Sequence, residues 1–493
     1  VRVRLAPSPT GYLHIGTARA ALFNWLFAKH HGGAFILRLE DTDEERSKCE
    51  FATDIYDGLH RLGLHWDEGP DVGGPYAPYV QSERLPIYQQ WLSKLIETGW
   101  VYQCFLTEAE IEAKRALAHA ENVPFVFRLS QEEALINANR LREGSHEFVY
   151  RFKVPDDHPP IVVHDAIRSD VTFDVATLGD FVVMKRSGMP TFNFANVVDD
   201  ITMKITHVIR GEDHLPNTPR QLLMYEAFGE TPPVFAHASM ILAPDRSKLS
   251  KRHGATALSE YLNMGYLPEA VGNFLALLGW SPPDGVEVAG LQHFASLFSL
   301  DRIAQSPAVF DIDKLNWLNG QAIRAMALPE LRRRAEPFLS TFDTSHWSEA
   351  KLELLLDVVR EPLTRLNELP ASVDYFFQQD LTVAPDLQSD VLAPDEGQKV
   401  LAHFIEAFLP EAPFAAASTH EALADARTQM IEALKTFTQS LKPLKPKAVM
   451  WPIRAALTGR VHGAELAATL VLLGSECVMT RSRRALAVQS VSP

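Results

Sequence analysis

Cysteine is scarce in this chain: Cys49, Cys104 and Cys477 are the only ones in 493 residues. Their scattered positions build neither a disulfide framework nor a four-cysteine zinc site. No uninterrupted apolar stretch reaches about 18 residues, so no membrane-spanning helix and no membrane partner are expected. The opening Val1-Arg2-Val3-Arg4-Leu5-Ala6 lacks the apolar block and small-residue cleavage site of a signal peptide, and a cytoplasmic protein is the expectation. Excess positive charge is also lacking, since the formal net charge is −15. That total argues against a protein that coats nucleic acid without selectivity. It does not exclude one that grips a particular folded RNA through local basic surfaces. A Gly-x-x-x-x-Gly-Lys-Ser/Thr loop is missing too, so any nucleotide must be held by another device.

What is present is globular in proportion, with 46% hydrophobic and 22% charged residues. The length suggests about three to four domains. Val1, Val3 and Leu5 alternate with Arg2 and Arg4 as in a half-buried strand. Pro7-Ser8-Pro9-Thr10-Gly11 stops that strand, and from Thr17 an apolar helical pattern runs to the Gly32-Gly33 break. Ala34 to Leu39 then reads as a second, mostly apolar strand. Strand, helix and buried strand open a doubly wound α/β domain. Residues 106–187 interrupt it with a helix over Glu108–His119 and strands near 148–154 and 181–184. The core pattern resumes at 195–200 and 207–210. From about residue 323 the periodic segments keep a helical period of about 3.6 residues. Lys442 to Lys447, with Pro443 and Pro446, reads as a basic turn.

Two short elements carry nucleotide chemistry. His14-Ile15-Gly16-Thr17 sits where a strand hands over to a helix, and a helix N-terminus offers unpaired N–H groups to phosphate. Gly16 has no Cβ to hold a ligand away, and His14 can donate to a phosphate oxygen. Ser247-Lys248-Leu249-Ser250-Lys251-Arg252, opened by Pro244-Asp245, gathers cations in a short segment. One reading is a solvated charged loop. The other is a loop that closes on a triphosphate, with Lys248 and Lys251 neutralising charge as pyrophosphate leaves. Neither element suffices alone; the pair, about 230 residues apart, is far more specific.

These elements resemble the His-Ile-Gly-His and Lys-Met-Ser-Lys-Ser signatures of class I aminoacyl-tRNA synthetases. Arg4 to Gly11, Arg38-Leu39-Glu40-Asp41-Thr42-Asp43, Ala195 to Asp200, Val208 to His214 and Pro452 to Gly459 are similar, more closely, to bacterial glutamyl-tRNA synthetases. The resemblance spans nearly the whole chain. It implies a Rossmann-type α/β catalytic domain with an α+β insertion and an all-α, anticodon-binding C-terminal region. Its boundaries are catalytic halves at 1–105 and 188–245 around an acceptor-binding insertion at 106–187. A stem-contact domain with the lysine loop follows at 246–322, then helical anticodon-binding domains at 323–385 and 386–493. Glutaminyl relatives have a different opening loop and β-barrel anticodon domains, which the helical C-terminal third speaks against.

The implied reaction joins L-glutamate to the 3′ end of tRNA(Glu) through a glutamyl-adenylate made from ATP. By the resemblance, Arg4 and Arg210 bind the carboxylates of glutamate and Glu40 its ammonium group, with Ala6, Ser8, Phe192 and Asn196 lining the pocket. Guanidinium offers only donors, which suits a carboxylate and opposes the amide NH₂ of glutamine. Phe192 replaces a tyrosine of many relatives and so lacks one hydroxyl for substrate. ATP contacts are expected from Pro9, Thr10, Gly11, His14, Gly16, Thr17, Asp213, Ile241, Lys248, Ser250, Lys251 and Arg252, and the catalytic set is His14, Gly16, Lys248 and Lys251. Mg²⁺ is expected on the phosphates. Some relatives hold zinc in the insertion; here Cys104 stands alone, His30, His60 and His65 lack ligand spacing, and no zinc site is expected. An arginine that reads the third anticodon base in relatives aligns with Pro362, near Arg360 and Arg365, so charging of tRNA(Gln) stays open. Lys442, Lys445 and Lys447 are candidates for RNA phosphate or for plain solvation. A monomer is expected. The competing readings are a nucleotidyltransferase that needs no tRNA, an enzyme that glutamylates a modified tRNA base, and a non-catalytic tRNA-binding paralogue. The C-terminal third opposes the first two, and intact His14, Gly16, Lys248 and Lys251 oppose the last.

Overall fold

The structure, a computed structural model, describes residues 1–43, 45–144 and 147–487, and at Lys251 the backbone alone. It divides into two compact units, residues 1–263 with 268–315, and residues 264–267 with 316–493.

The first unit is built on parallel strands. β1 (Arg2–Leu5) pairs in parallel with β2 (Ala34–Leu37), and α1 (Ile15–His30) crosses between them. α1 is apolar nearly all round and is correspondingly buried on most faces. Gly32 takes φ +57 to turn the chain after it, and a Cβ on Gly33 would overlap the Val1 carbonyl oxygen. The chain continues through α2 (Cys49–Arg61), α3 (Leu85–Glu97) and β3 (Val101–Cys104). α4 (Glu108–Ala120) and α5 (Gln131–Arg142) follow, each opened by a reciprocal capping box, Thr107 with Glu110 and Ser130 with Glu133. β4 (Val149–Phe152), β5 (Ile161–Asp165), β6 (Ser169–Phe173) and β7 (Phe181–Met184) complete the interrupting segment. These strands separate. β3, β4 and β7 form an antiparallel sheet of their own, whereas β5 and β6 join the second half of the α/β core.

That second half comprises α6 (Phe192–Thr202), β8 (His207–Gly211), α7 (Thr218–Phe228) and β9 (Val234–Ala238). β8 and β5 both run parallel to β9, giving the order β6-β5-β9-β8. β1 lies beside β8, tied by Thr206 N–H to the Arg2 carbonyl at 2.9 Å. The Arg2/Arg4 alternation suggested one wet face for β1, yet Arg4 is buried like Val3 and Leu5, because carboxylates of α6 cover that face.

The second unit is helical. Helices Glu349–Val359, Asp395–His403, His420–Ser440, Pro446–Thr458 and Leu466–Ala487 contribute to one core around Leu401, Phe404, Met430, Ile453 and Leu470. Gly459 ends the fourth of these in the left-handed region at φ +67, the conformation glycine tolerates best. Among the described residues no helix is long and apolar enough to cross a membrane.

Candidate active site

Strand ends in a parallel sheet leave a crevice at the carboxyl edge, and that is where the motifs converge. After β1 the segment Ala6–Leu13 runs along this edge, anchored by Glu40 N–H on the Pro7 carbonyl at 3.0 Å. His14 then caps α1, its Nδ1 accepting the Gly16 N–H at 3.0 Å. With Nδ1 an acceptor, the neutral ring carries its proton on Nε2. Burial, and next the charge of Lys248, lowers the His14 pKa, which favours that neutral form. A Cβ on Gly16 would stand 3.3 Å from His14 Nδ1, so glycine there gives the ring its room.

The distant lysine loop reaches the same place through backbone pairing. Ile15 N–H donates to the Thr256 carbonyl at 3.0 Å and Leu258 N–H to the Leu13 carbonyl at 2.8 Å. β10 (Ile241–Leu242) leads into a tight turn, Ala243 N–H on Ser247 O at 2.8 Å with Arg246 at φ +63, and Lys248 bridges back to Leu242. Lys248 is exposed and lines the cleft with His14.

The cleft has a volume of about 510 Å³. Of the residues singled out from the sequence, Arg4, Ala6, Ser8, Thr10, Gly11, His14, Gly16, Thr17, Glu40, Phe192, Asn196, Arg210, Asp213, Ile241 and Lys248 all line it. Pro9, Ser250 and Arg252 do not. Pro9 is buried, with its carbonyl on Lys48 N–H at 3.1 Å. Ser250 Oγ lies 3.1 Å from His253 Nδ1, and Arg252 donates to Ser247 Oγ at 3.0 Å. The side chain of Lys251 lies outside the described residues.

One end of the cleft is a buried ionic lattice. Arg4 donates to Asp200 at 3.1 and 3.2 Å and to Asn196 Oδ1 at 3.4 Å. Glu40 Oε1 accepts from Arg38 Nη2 at 3.0 Å and from Asn196 Nδ2 at 2.8 Å. Arg38, fully buried, also donates to Asp200 at 2.7 Å. Burial raises the Glu40 pKa in spite of Arg38 beside it, so a further cation there is favoured.

Arg210 differs from its neighbours. Nε donates to His237 Nε2 at 3.0 Å, and Nη2 donates to Thr218 Oγ1 at 2.9 Å and Gln221 Oε1 at 2.8 Å. Nη1 has no hydrogen-bond partner, and Arg210 forms no ion pair among the described residues. Burial, with repulsion from Arg4, pushes its pKa down to about 9. A buried guanidinium within neutral dipoles is a seat for an anion.

Arg38, Asp200, Thr218, Gln221, Asp165 and His237 also shape the site, although no motif marks a role for them. Arg38 and Asp200 lay inside quoted motifs. His237 had only one signal, a lone polar residue within the apolar run of β9. Phe192 stacks on His214 with ring centroids 5.5 Å apart. Cys104 is buried in an apolar cluster with Leu106 and Phe127. His30, His60 and His65 are exposed.

Residues 1–317 match the family described as tRNA synthetases class I (E and Q), catalytic domain, and residues 330–486 match the anticodon binding domain. The chain belongs to the class I glutamyl/glutaminyl-tRNA synthetase family. It is therefore an aminoacyl-tRNA synthetase, a ligase that uses ATP as a substrate. A glutamate–tRNA ligase of Carboxydothermus hydrogenoformans is 45% identical over 484 residues, covering 96% of this chain and 97% of that protein. Another, of Desulforamulus reducens, is 42% identical over 495 residues and covers 99% of both. Among solved structures, a glutamate tRNA ligase from Elizabethkingia meningosepticum in complex with its amino acid superposes with a TM-score of 0.88. It is 32% identical over 99% of both chains.

Proposed function

We propose that this synthetase charges tRNA(Glu) with L-glutamate. The observation that carries the reading is the charge pattern of the cleft: Arg210, a buried cation that forms no ion pair among the described residues, lies with Arg4 and the buried Glu40 carboxylate in one small space. A molecule with two carboxylates and one ammonium complements that pattern. The guanidinium groups take the carboxylates, and Glu40 with Asn196 fixes the ammonium end. Ala6, Ser8 and Phe192 close the walls. A glutamine amide would turn N–H groups toward a cation that has only donors, a mismatch of about 1–3 kcal/mol.

In activation, an oxygen of the α-carboxylate bonds to the α-phosphorus of ATP while the bond to the bridging oxygen of pyrophosphate breaks. A ribose hydroxyl at the tRNA 3′ end then attacks the acyl carbon of the adenylate, AMP leaves, and the hydroxyl proton is released. These steps depend on positioning and charge stabilisation. His14 Nε2–H and the N-terminal turn of α1 at Gly16 and Thr17 hold the phosphates, and Lys248 with Lys251 balances the departing charge. Thr10, Gly11, Asp213 and Ile241 surround the nucleotide, and Ser250 and Arg252 reach it when the loop exchanges its internal hydrogen bonds for phosphate. Mg²⁺, when bound, would neutralise charge on the triphosphate. The protein acts as a monomer.

The test is charging of purified tRNA(Glu) by the purified protein with ATP and each of the amino acids in turn. Glutamate alone should yield aminoacyl-tRNA; charging with glutamine at comparable kcat/KM would reject the reading.

A further inference from the structure

Arg210 is held by a chain of groups that begins in the interrupting segment, and we infer that Asp165 and His237 are positioning residues for the substrate carboxylate. The inference rests on the proposed role of Arg210. Arg210 Nε–H can only donate, so His237 Nε2, 3.0 Å away, must accept. The His237 proton therefore sits on Nδ1, which donates to Asp165 Oδ2 at 2.6 Å. Thr218 is compatible with the same assignment, its hydroxyl accepting from Arg210 Nη2 at 2.9 Å and lying 3.3 Å from His237 Nε2.

Asp165 is itself pinned. Oδ1 accepts the N–H groups of Ile167 at 2.9 Å and Arg168 at 2.8 Å, and Oδ2 accepts the His237 N–H at 3.1 Å. Asp165 ends β5, which pairs with β9 where His237 lies, and β9 pairs with β8, where Arg210 sits opposite His237. Three adjacent strands thus present carboxylate, imidazole and guanidinium in a row. The row orders one ring tautomer, and the tautomer aims the guanidinium. Among the described residues Arg210 pairs with no carboxylate, so this neutral acceptor holds it without consuming its charge. A carboxylate placed where His237 stands would compete with the substrate for the cation.

Asp165→Asn tests the idea. An amide has one acceptor oxygen and one donor group, so whichever way it turns, a donor meets a donor. If its oxygen keeps the Ile167 and Arg168 N–H groups, its NH₂ faces His237 Nδ1, and the ring must move its proton to Nε2 against Arg210. In aminoacylation at saturating ATP and tRNA, KM for glutamate should rise about tenfold or more. KM for ATP should stay within about twofold of wild type, as a substrate-specific effect requires. His237→Gln, whose oxygen can accept from Arg210, should recover part of the loss caused by His237→Phe. An equal change in both KM values, or none in that for glutamate, overturns the inference. Should the variants fail to fold, ¹⁵N spectra of histidine-labelled wild-type protein decide: protonation at Nδ1 of His237 is expected, and protonation at Nε2 rejects it. Arg210→Ala separates the two claims. If it leaves the glutamate KM unchanged, the role of Arg210 fails; if it raises KM while Asp165→Asn does not, only the positioning row fails.

Discussion

The backbone N–H of Ile15 donates to the carbonyl of Thr256 at 3.0 Å, so the start of α1 is hydrogen-bonded to the chain just beyond the lysine loop. Leu258 N–H on Leu13 O closes the same antiparallel contact. Two sequence elements far apart thereby become one structure, in which His14 and Lys248 face one cleft. The lysine loop is anchored at both ends, by the β10 turn on one side and this contact on the other.

The tight fit of His14 over Gly16 separates catalysis from stability. Gly16→Ala adds a methyl group 3.3 Å from His14 Nδ1, which must shift the ring. Alanine also favours the helix over glycine by about 1 kcal/mol. The variant should unfold at an equal or higher denaturant concentration while its kcat/KM for ATP falls roughly 10- to 100-fold, since misplacing a contact group by about 1 Å has such effects. Urea titration and aminoacylation rates check the two halves separately.

A pH effect follows from the same histidine. Burial and Lys248 hold its folded pKa below the ordinary value of 6.5. The unfolded chain therefore binds the proton more readily, and this group's contribution to stability declines as pH falls below about 6.5. Phosphate charge beside Nε2 acts in the opposite direction and raises the pKa, so ATP binding near pH 6 should take up protons. Calorimetry in buffers of different ionisation heat should show greater uptake for wild type than for His14→Asn, a difference that cancels the titration of ATP itself. Equal uptake by the two proteins rejects contact between His14 and phosphate.

Arg38 makes the sharpest stability prediction. It is fully buried and joined to Glu40 at 3.0 Å and Asp200 at 2.7 Å, with Asp199 3.5 Å away. Removing one member of such a lattice strands the others, at a cost of about 3–5 kcal/mol. Arg38→Met should lower the stability of the first unit by that order in urea unfolding. Arg46, exposed and ion-paired with half-buried Asp43, should be replaceable by methionine with no measurable shift of the midpoint.

The fold of the first unit and the convergence of its motifs on one cleft were largely legible because their signals are local. Prolines and glycines punctuate β1, α1 and β2, and the cations of the lysine loop are contiguous. The helix expected over Glu108–His119 occurs at Glu108–Ala120, and the strand expected over Phe181–Met184 occurs there. What escaped were partners supplied by other elements. Arg4 reads as the wet face of a strand until Asp200 of α6 covers it, and His237 reads as an anomaly until β5 brings Asp165 alongside. The departure of β5 and β6 from the neighbouring β3-β4-β7 sheet had no sequence signal, because antiparallel and parallel partners share the same alternation of side chains.

The helical unit yields the last prediction. Pro362 is exposed in the turn after helix Glu349–Val359 and offers no hydrogen-bond donor. The neighbouring cations are engaged within the unit. Arg360 donates to the Met326 carbonyl at 3.1 Å and pairs with Asp357 at 2.9 Å, and Arg365 pairs with Glu368 at 3.1 Å. A base read by a donor at this turn would have to draw one of them away from its carboxylate. Discrimination between tRNA(Glu) and tRNA(Gln) through the turn should therefore be weak, with kcat/KM values for the two within about tenfold. Pro362→Arg places a long donor at this turn and should widen that ratio, while KM for glutamate and ATP stays constant. Parallel charging of the two purified tRNAs measures it. Strong preference for one tRNA by the wild type, unchanged by Arg360→Ala and Arg365→Ala, would show that the anticodon is read elsewhere in the unit.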